Sequence, residues 1–179
     1  MGGVVVRNHD VLPDVAEYLG ISMEEGRVWG RDLFVTLMEG KLSNQGFWAA
    51  FSQRSGITIE KDDLFGRFFH PVLDESVHSL ILRLREQNRV VCGTNTIEEH
   101  YCFHLNRGDY SVFDAVYASH KIGIAKPKPE FYQHIMNQEN FSPSQTIFID
   151  DSVKNVEAAQ HLGIFSFHFT GYERLLEQM

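Results

Sequence analysis

The sequence predicts an α/β protein with a parallel sheet and one inserted helical segment. In the second half of the chain, short apolar runs alternate with amphipathic stretches of roughly ten residues, the pattern of strands joined by crossover helices. The first half has apolar residues at helical spacing and no strand signal between Trp29 and Phe69. One short β-branched run, residues 3–6, precedes the helical part and predicts a buried first strand.

Start and stop signals divide the helical half into separate helices. Pro13 near the beginning and Gly20 at the end predict a first short helix. Ser22 followed by Glu25 is a capping box, which predicts that a second helix starts there. A further helix is predicted over residues 72–87, before the pattern changes.

The elements after residue 88 alternate regularly, and in a parallel sheet ligands bind outside the carboxyl ends of the strands. The predicted strands are residues 89–92, 115–117, 146–149 and 164–169, and the predicted helices are residues 96–106, 129–140 and 153–162.

Composition narrows the class of protein. Hydrophobic residues make up 43% of the 179 residues and the net charge is −8, so we expect a globular protein whose main partner is not nucleic acid. No apolar run reaches the ~18 residues of a membrane span, and we see no signal peptide. Cys92 and Cys102 are too few for a disulfide framework, which predicts reduced thiols and a cytoplasmic location.

Polar residues follow three of the predicted strands. Asp150 and Asp151 end a buried strand; an adjacent acidic pair either caps the next helix or holds Mg²⁺. Thr94 and Asn95 end another strand, where a hydroxyl and backbone N–H groups either cap a helix or seat a phosphate. Lys126 precedes a proline-started helix, and two nearby prolines stiffen its segment.

Together, in this order and spacing, these three motifs resemble those of the haloacid dehalogenase-like (HAD-like) superfamily, mostly phosphatases that work through an aspartyl-phosphate. The resemblance implies a Rossmann-like core, residues 1–12 and 76–179, with a small helical cap, residues 13–75, as in small sugar-phosphate phosphatases and the phosphatase domain of epoxide hydrolases. It further implies that Thr94 and Asn95 bind phosphate, that Lys126 neutralises phosphate and nucleophile, and that Asp150 and Asp151 hold Mg²⁺.

The first motif of that superfamily, Asp-x-Asp followed shortly by Val-Leu, departs from the pattern here. Aligning Val11 and Leu12 puts Arg7 at the nucleophile and His9 at the general acid, and a shift of one residue puts Asn8 and Asp10 there. Neither register supplies a carboxylate nucleophile, which covalent phosphoryl transfer requires. We therefore expect weakened Mg²⁺ binding and little or no phosphatase activity, since loss of such a residue costs roughly 10⁴ to 10⁶ in rate in other enzymes.

Arg7 and His9 each have two possible roles, and a pair of later histidines has the spacing of metal ligands. The Arg7 guanidinium can pair with Asp150 and Asp151 in place of the metal, or point idly to solvent. His9 can act as an acid or base near neutral pH, although a passive histidine is the simpler interpretation. His100 and His104 stand one helical turn apart, as metal ligands do, but no third ligand is evident.

The sequence is compatible with three functions. The first is a catalytically impaired protein that still binds phosphate or a small phosphorylated metabolite. The second is an active Mg²⁺-dependent phosphatase of such metabolites with a non-standard first motif. The third is an interaction protein without a ligand. Aromatic residues of the cap form its core, line a substrate pocket, or make a homodimer surface.

Overall fold

The computed structural model describes residues 1–178, which form an α/β arrangement with many helices. The strands are β1 (Val6–Arg7), β2 (Val72–Leu73), β3 (Val91–Thr94), β4 (Ala115–Ala118), β5 (Ile147–Asp150) and β6 (Phe165–His168). The helices are α1 (Leu12–Leu19), α2 (Met23–Met38), α3 (Asn44–Ser55), α4 (Leu64–Arg67), α5 (Glu75–Arg85), α6 (Glu98–Arg107), α7 (Ser119–Ile122), α8 (Pro129–Glu139), α9 (Val153–His161) and α10 (Tyr172–Gln178). Short 3₁₀ turns lie at Asp109–Val112 and Pro143–Gln145.

The predicted parallel arrangement is confirmed, in two separate pairs of strands. β3 pairs with β4 in parallel, with Cys92 opposite Val116, and β5 pairs with β6 in parallel, with Ile149 opposite Phe167. No described strand joins the two pairs, so one edge of β3 and one edge of β5 pair with no strand in residues 1–178.

The prediction of a strand at residues 3–6 is wrong. The carbonyl of Met1 accepts hydrogen bonds from the N–H groups of Val4, Val5 and Val6, at 3.3, 2.8 and 3.2 Å, which closes a tight turn. Gly3 has φ +77°, a conformation that glycine adopts without steric cost. Only Val6–Arg7 is extended, and it pairs antiparallel with Val72–Leu73. The helix predicted over residues 72–87 is accordingly shorter and begins at Glu75.

The helical segment has a core of its own. The capping box at Ser22 and Glu25 is present, with both reciprocal hydrogen bonds formed. Aromatic side chains fill the interior, and the ring centroids of Trp48 and Phe47 lie 4.7 and 5.0 Å from that of Phe65, both in tilted arrangements. The buried members of this cluster are Val11, Val15, Leu33, Leu37, Phe47, Trp48, Phe51, Leu64, Phe65, Phe69 and Ile97. Ile97 lies in the sheet part of the chain, so the two parts share a packed boundary.

Two further clusters bury the faces of the strands. One combines Met1, Cys92 and Phe169 with residues of α5, and the other packs Phe131 and Tyr132 of α8 against α9. The division into a core of residues 1–12 and 76–179 and a cap of residues 13–75 stays a prediction. Within the described chain, no helix is both long and apolar enough to cross a membrane.

Candidate functional site

Lys126 joins the carboxyl ends of β3 and β5. Its Nζ donates to the backbone oxygen of Gly93 at 2.8 Å and to Oδ2 of Asp150 at 2.7 Å. Both charged side chains are nearly inaccessible, at 7% exposure for Lys126 and 6% for Asp150. Removing one partner of such a buried pair is costly, because the other charge is then left uncompensated.

Asp150 is held ionised by its neighbours. Burial by itself would raise the pKa of this carboxyl, but Lys126 and two further donors hold the pKa below its usual value. Those donors are the N–H of Ser152 at 2.9 Å and the side-chain amide of Asn155 at 2.7 Å, both reaching Oδ1. The carboxylate is therefore fixed in one orientation.

The segment that carries Lys126 is held from two sides. The amide side chain of Asn95 donates to the carbonyl of Lys126 at 2.9 Å and accepts from the N–H of Lys126 at 2.8 Å. On the other side, Glu39 at the end of α2 accepts from the N–H of Ala125 at 3.3 Å and pairs with Lys128 and Lys41. Burial would raise the pKa of Glu39, yet Lys128 and Lys41 lower it. Glu39 thus ties the helical segment to the Lys126 segment.

Thr94, the last residue of β3, is buried next to this site. Its hydroxyl makes only a long contact of 3.5 Å to the carbonyl of Asn95, so the hydroxyl proton is weakly engaged. The structure therefore brings together the polar residues predicted at the ends of these two strands and Lys126 between them.

Asp151 is exposed, and the backbone of Gly3 lies directly against its carboxylate. A Cβ added to Gly3 would lie 2.1 Å from Oδ2 of Asp151, so any larger residue would require the Asp151 side chain to move, and φ +77° itself favours glycine. The residue that approaches the acidic pair from the amino-terminal segment is thus Gly3.

The acidic pair fits a weakly held Mg²⁺. Mg²⁺ is commonly bound by one or two carboxylates, with waters and substrate phosphate completing its shell. Oδ1 of Asp150 already accepts two hydrogen bonds, and no third acidic, histidine or cysteine ligand joins the pair within residues 1–178. The residues present therefore supply too few oxygens to hold the ion firmly by themselves.

The hypothesis that Arg7 pairs with Asp150 and Asp151 is wrong in this structure. Arg7 is 72% exposed, and its guanidinium forms a long ion pair of 3.4 Å with Asp74, which caps α5. The reason is the turn at residues 3–5, which places Gly3 at the acidic pair and carries Arg7 into β1, away from it.

The other candidates for the first motif, His9, Asn8 and Asp10, follow the turn at residues 3–5, and none of them forms a hydrogen bond with Lys126. His9 is half-buried, and its ring lies against Gly2, where an added Cβ would be 2.4 Å from Cδ2. In the alternative register, the Asn8 amide donates to the carbonyl of His70 at 3.0 Å and Asp10 accepts from the N–H of Leu12 at 3.0 Å. These contacts shape the entry into α1.

The two histidines of α6 are engaged separately. The ring of His100 bonds the carbonyl of Phe65 at 3.0 Å and stacks on Phe69, and burial lowers its pKa to about 4. The ring of His104 bonds Asp109 at 2.6 Å. Both side chains therefore belong to the packing between α6 and its neighbours.

A cavity of about 590 Å³ lies inside the helical segment. It is lined mainly by apolar and aromatic residues, including Phe34, Met38 and Trp48, with Arg27 and Arg31 also on its wall. The indole N–H of Trp48 is buried and finds no hydrogen-bond partner in the described structure. Met38 directly precedes Glu39, so one wall of the cavity continues into the contact that holds the Lys126 segment.

The sequence profile of the haloacid dehalogenase-like hydrolases matches residues 1–163. The chain belongs to this family. Among curated relatives, a sesquiterpene phosphatase of Aspergillus oryzae is 42% identical over 62 residues, 35% of this chain and 32% of that protein. A D-ribitol-5-phosphate phosphatase of Bacteroides thetaiotaomicron is 28% identical over 146 residues, 75% of this chain and 70% of that protein. The first match thus spans about a third of the relative's length.

Solved HAD-like structures share the fold over nearly the whole chain. A magnesium complex of a HAD family enzyme from Bacteroides thetaiotaomicron superposes with a TM-score of 0.79 at 25% identity, covering 98% of this chain and 94% of that one. An aspartate-to-alanine mutant of the same enzyme, with magnesium and inorganic phosphate, has a TM-score of 0.78 at 24% identity, with coverage of 98% and 95%. The HAD-like α/β fold predicted from the motifs is confirmed.

Sequence reasoning missed three features of the site. The sequence did not predict a role for Glu39 or the hydrogen bond from Asn155 to Asp150. It also did not predict the close approach of Gly3 to Asp151. The adjacent glycines at positions 2 and 3 were the available signal for the last, since paired glycines indicate a close backbone approach.

Proposed function

We propose that this HAD-like hydrolase binds the phosphate group of a small phosphorylated metabolite at Thr94, Asn95 and Lys126, and that turnover by the chain of 179 residues is impaired. The observation that carries the proposal is the buried ion pair of Lys126 and Asp150 with no third acidic group beside it in residues 1–178. Lys126 supplies positive charge for an anion, and Thr94 supplies a weakly engaged hydroxyl. Impairment follows from the absent carboxylate nucleophile rather than from any repulsion by Arg7.

Magnesium has a supporting role in this proposal. When bound at Asp150 and Asp151, Mg²⁺ would neutralise charge on the phosphoryl oxygens. Asn155 and Ser152 hold Asp150 in place for that contact, and Asp151 is open to solvent. We expect Mg²⁺ affinity to be low without phosphate and higher with it, because phosphate oxygens would complete the shell.

The proposal also covers the compartment and the partners of the protein. Two free cysteines, Cys92 and Cys102, support a reducing and thus cytoplasmic compartment. The net charge of −8 supports a small-molecule partner and not nucleic acid. A homodimer stays a prediction.

Phosphate-induced thermal stabilisation tests the binding step. Phosphate at ten times its Kd would add about 1.4 kcal/mol to the stability, which is about 3 to 5 °C for a chain of this size. Thr94→Val should weaken this shift, because the variant keeps the shape and loses the hydroxyl, while Thr58→Val at an exposed position should leave it unchanged. Absence of any phosphate shift in the parent protein would contradict phosphate binding.

A second candidate is an enzyme acting on the phosphate ester of an apolar alcohol. The cavity beside Met38 favours it, since about 590 Å³ of mostly apolar space suits a hydrocarbon better than a sugar. The resemblance to a sesquiterpene phosphatase points the same way, whereas the resemblance to a D-ribitol-5-phosphate phosphatase supports a polyol.

Competition between two ligands separates these substrates. We expect a C15 prenyl phosphate to stabilise the protein more than ribitol 5-phosphate does if the cavity holds the organic group. Gly26→Leu should narrow the cavity, because Gly26 lies on its wall and an added Cβ there would meet only Ile21, at 3.7 Å. Val28→Leu on the exposed face of the same helix is the control. If thermal stabilisation by the prenyl phosphate is lost in both variants, or in neither, the cavity does not bind the organic group.

A further inference from the structure

The cavity inside the helical segment follows one face of α2 from the first residue of this helix to the last. Side chains three or four positions apart lie on the same face of a helix. The wall has this spacing along α2, from Met23 through Arg27, Arg31 and Val35 to Met38. At about 1.5 Å per residue, the face that these residues form is about 22 Å long. The cavity of about 590 Å³ therefore extends along the helix, which suits a chain-like molecule better than a compact one.

The helix itself leaves room for an occupant. Gly26 lies on the wall of the cavity, and a Cβ added there would meet only Ile21, at 3.7 Å. No close neighbour therefore requires glycine at this position, although glycine weakens the interior of a helix relative to alanine. The missing side chain keeps the cavity open at this point.

Trp48 supplies a polar group in the buried part of the wall. The residue is 3% exposed, and its indole N–H has no hydrogen-bond partner in residues 1–178. A buried donor without a partner is costly, so an acceptor is favoured there. A buried water needs about two to four polar partners, whereas the rings packed around Trp48 are those of Phe47, Phe51 and Phe65. The acceptor that fits is an oxygen carried by an otherwise apolar molecule.

Two arginines lie on the same wall where it meets solvent. Arg27 and Arg31 are one turn apart on α2, and both are exposed. The guanidinium of Arg27 reaches Glu24 only at 3.9 Å, and Asp32, next to Arg31, is held by Arg54 at 2.6 Å. The two positive charges are therefore weakly compensated, and their guanidinium groups match the geometry of a carboxylate.

We propose that this cavity binds a long-chain carboxylate that carries a hydroxyl or carbonyl oxygen along its chain. The carboxylate lies at Arg27 and Arg31, and the chain oxygen accepts from the indole N–H of Trp48. This ligand uses neither Thr94 nor Lys126, so the inference goes beyond the proposed phosphate site and does not rest on it. It also differs from the phosphate ester considered above, whose anionic group would lie at Lys126.

Isothermal titration calorimetry of the full chain tests both contacts. The probes are dodecanoate, dodecanol and a set of hydroxydodecanoates with the hydroxyl at successive positions, each below its micelle concentration. We expect dodecanoate to bind, and at least one hydroxydodecanoate to bind about fivefold more tightly. Arg27→Gln combined with Arg31→Gln should weaken dodecanoate binding about threefold to tenfold and leave dodecanol binding unchanged. The matched control, Lys61→Gln combined with Lys154→Gln, removes two exposed charges elsewhere and should change neither affinity.

Two further variants test the contact with the indole. Trp48→Phe should remove the preference for the hydroxydodecanoate and leave the affinity for dodecanoate unchanged. Trp29→Phe leaves Trp48 as the single tryptophan of the chain, and Trp29 does not line the cavity. A change in the emission of Trp48 when the hydroxydodecanoate binds to this variant therefore reports the contact without altering it.

Each part of the proposal has an outcome that contradicts it. Failure of dodecanoate to bind, or equal weakening in the arginine and lysine double variants, would overturn the site. If no hydroxydodecanoate binds more tightly than dodecanoate, or if the preference survives in Trp48→Phe, the chain oxygen does not contact the indole. Thr94→Val should leave every affinity unchanged, and a loss of affinity there would place the carboxylate at the phosphate site and overturn a separate site. No phosphate is present in these titrations, so a failure of the proposed function is recognised separately.

Discussion

Asn95 and Lys126 exchange two hydrogen bonds, side chain to backbone, at 2.9 and 2.8 Å. The pairing fixes the segment from which the lysine side chain reaches Asp150. Asn95 was predicted to bind phosphate, and this contact adds a positioning role, because the amide places the charge that an anion would meet.

Asn95→Ala should lower the free energy of unfolding by about 1 to 3 kcal/mol, since two partly buried backbone groups of Lys126 lose their partner. Urea denaturation measures the change. Asn137→Ala, at an exposed position of α8, is the control and should change stability by less than about 0.5 kcal/mol. Equal effects of the two substitutions would show that Asn95 does not hold the segment.

Lys126→Ala should destabilise the protein by about 3 to 5 kcal/mol at pH 7, because Asp150 is left buried and charged. In the parent the pKa of Asp150 is below its ordinary value, so its contribution is present at neutral pH and is lost as the pH falls through that low pKa. In the variant, Lys126 no longer opposes the effect of burial, so the pKa of Asp150 should rise. Protonation of Asp150 then removes the cost of burying its charge. The difference between parent and variant should therefore shrink from pH 7 to pH 4. Lys154→Ala, an exposed control, should show no such convergence.

Gly3→Ala should be more harmful than Gly20→Ala. Both glycines have left-handed backbones, with φ +77° and +66°, so an alanine costs about 1 to 2 kcal/mol at either position. Only at Gly3 does the added Cβ meet another group, the Asp151 carboxylate at 2.1 Å, whereas Gly20 has nothing within 4 Å. Thermal unfolding of the two variants compares the costs, and equal losses would contradict the close approach of Gly3 to Asp151.

Glu99 should make stability depend on pH between about 4.5 and 7. Burial, and then the nearby Asp62 and Asp63, raise the pKa of Glu99 from 4.5 to about 7. The folded state thus keeps a proton that the unfolded chain has lost, and stability falls as the pH rises through this window. Its Oε2 is buried with no partner in the described residues, consistent with a neutral acid.

Glu99→Gln removes this titration. At pH 8 the variant should be more stable than the parent by about 1 to 2 kcal/mol, after allowance for solvent screening of a half-buried group, and at pH 4.5 the two should be nearly equal. Urea unfolding across this range measures both. Glu157→Gln, an exposed control, should leave the pH profile unchanged. A constant difference between Glu99→Gln and the parent at every pH would contradict the shifted pKa.

Arg7 should be dispensable. Its ion pair with Asp74 is long and its side chain is 72% exposed, so Arg7→Ala should change stability by less than about 0.5 kcal/mol and leave the phosphate shift intact. Arg7→Asp should not create hydrolysis, because the side chain at position 7 is exposed and contacts Asp74 at the start of α5. Activity gained in Arg7→Asp would restore the original alignment of the first motif.

Much of the fold was readable from local signals. The capping box at Ser22 and Glu25, the glycine at the end of α1 and the alternation after residue 88 each specify an element through chemistry that acts within a few residues. Strand propensity misled at residues 3–6, because three consecutive valines favour extension while the Met1 carbonyl closes a turn over them. That turn also brings Gly3 against Asp151, a contact between distant parts of the chain that the propensity of the valines does not register.

In the site, the position of the polar clusters was predictable and the long-range contacts were not. The polar clusters around Asp150 and Thr94 lie together as expected, because the carboxyl ends of parallel strands lie at one edge of a sheet, whereas the ion pair of Asp150 with Lys126 was not predicted. Arg7 was expected to pair with Asp150 and Asp151, and it pairs with Asp74 instead, a contact that the alignment on Val11 and Leu12 gave no means to foresee. Nothing local indicates that Glu39, some ninety residues away, pairs with Lys128.

Hydrolysis of p-nitrophenyl phosphate with Mg²⁺ by the chain of 179 residues decides whether turnover is impaired. We expect no turnover above the uncatalysed rate, together with thermal stabilisation by phosphate. Turnover that persists in Arg7→Ala and disappears in Lys126→Ala, with Lys154→Ala fully active, would contradict it and would mean that a nucleophile is already in place beside Lys126.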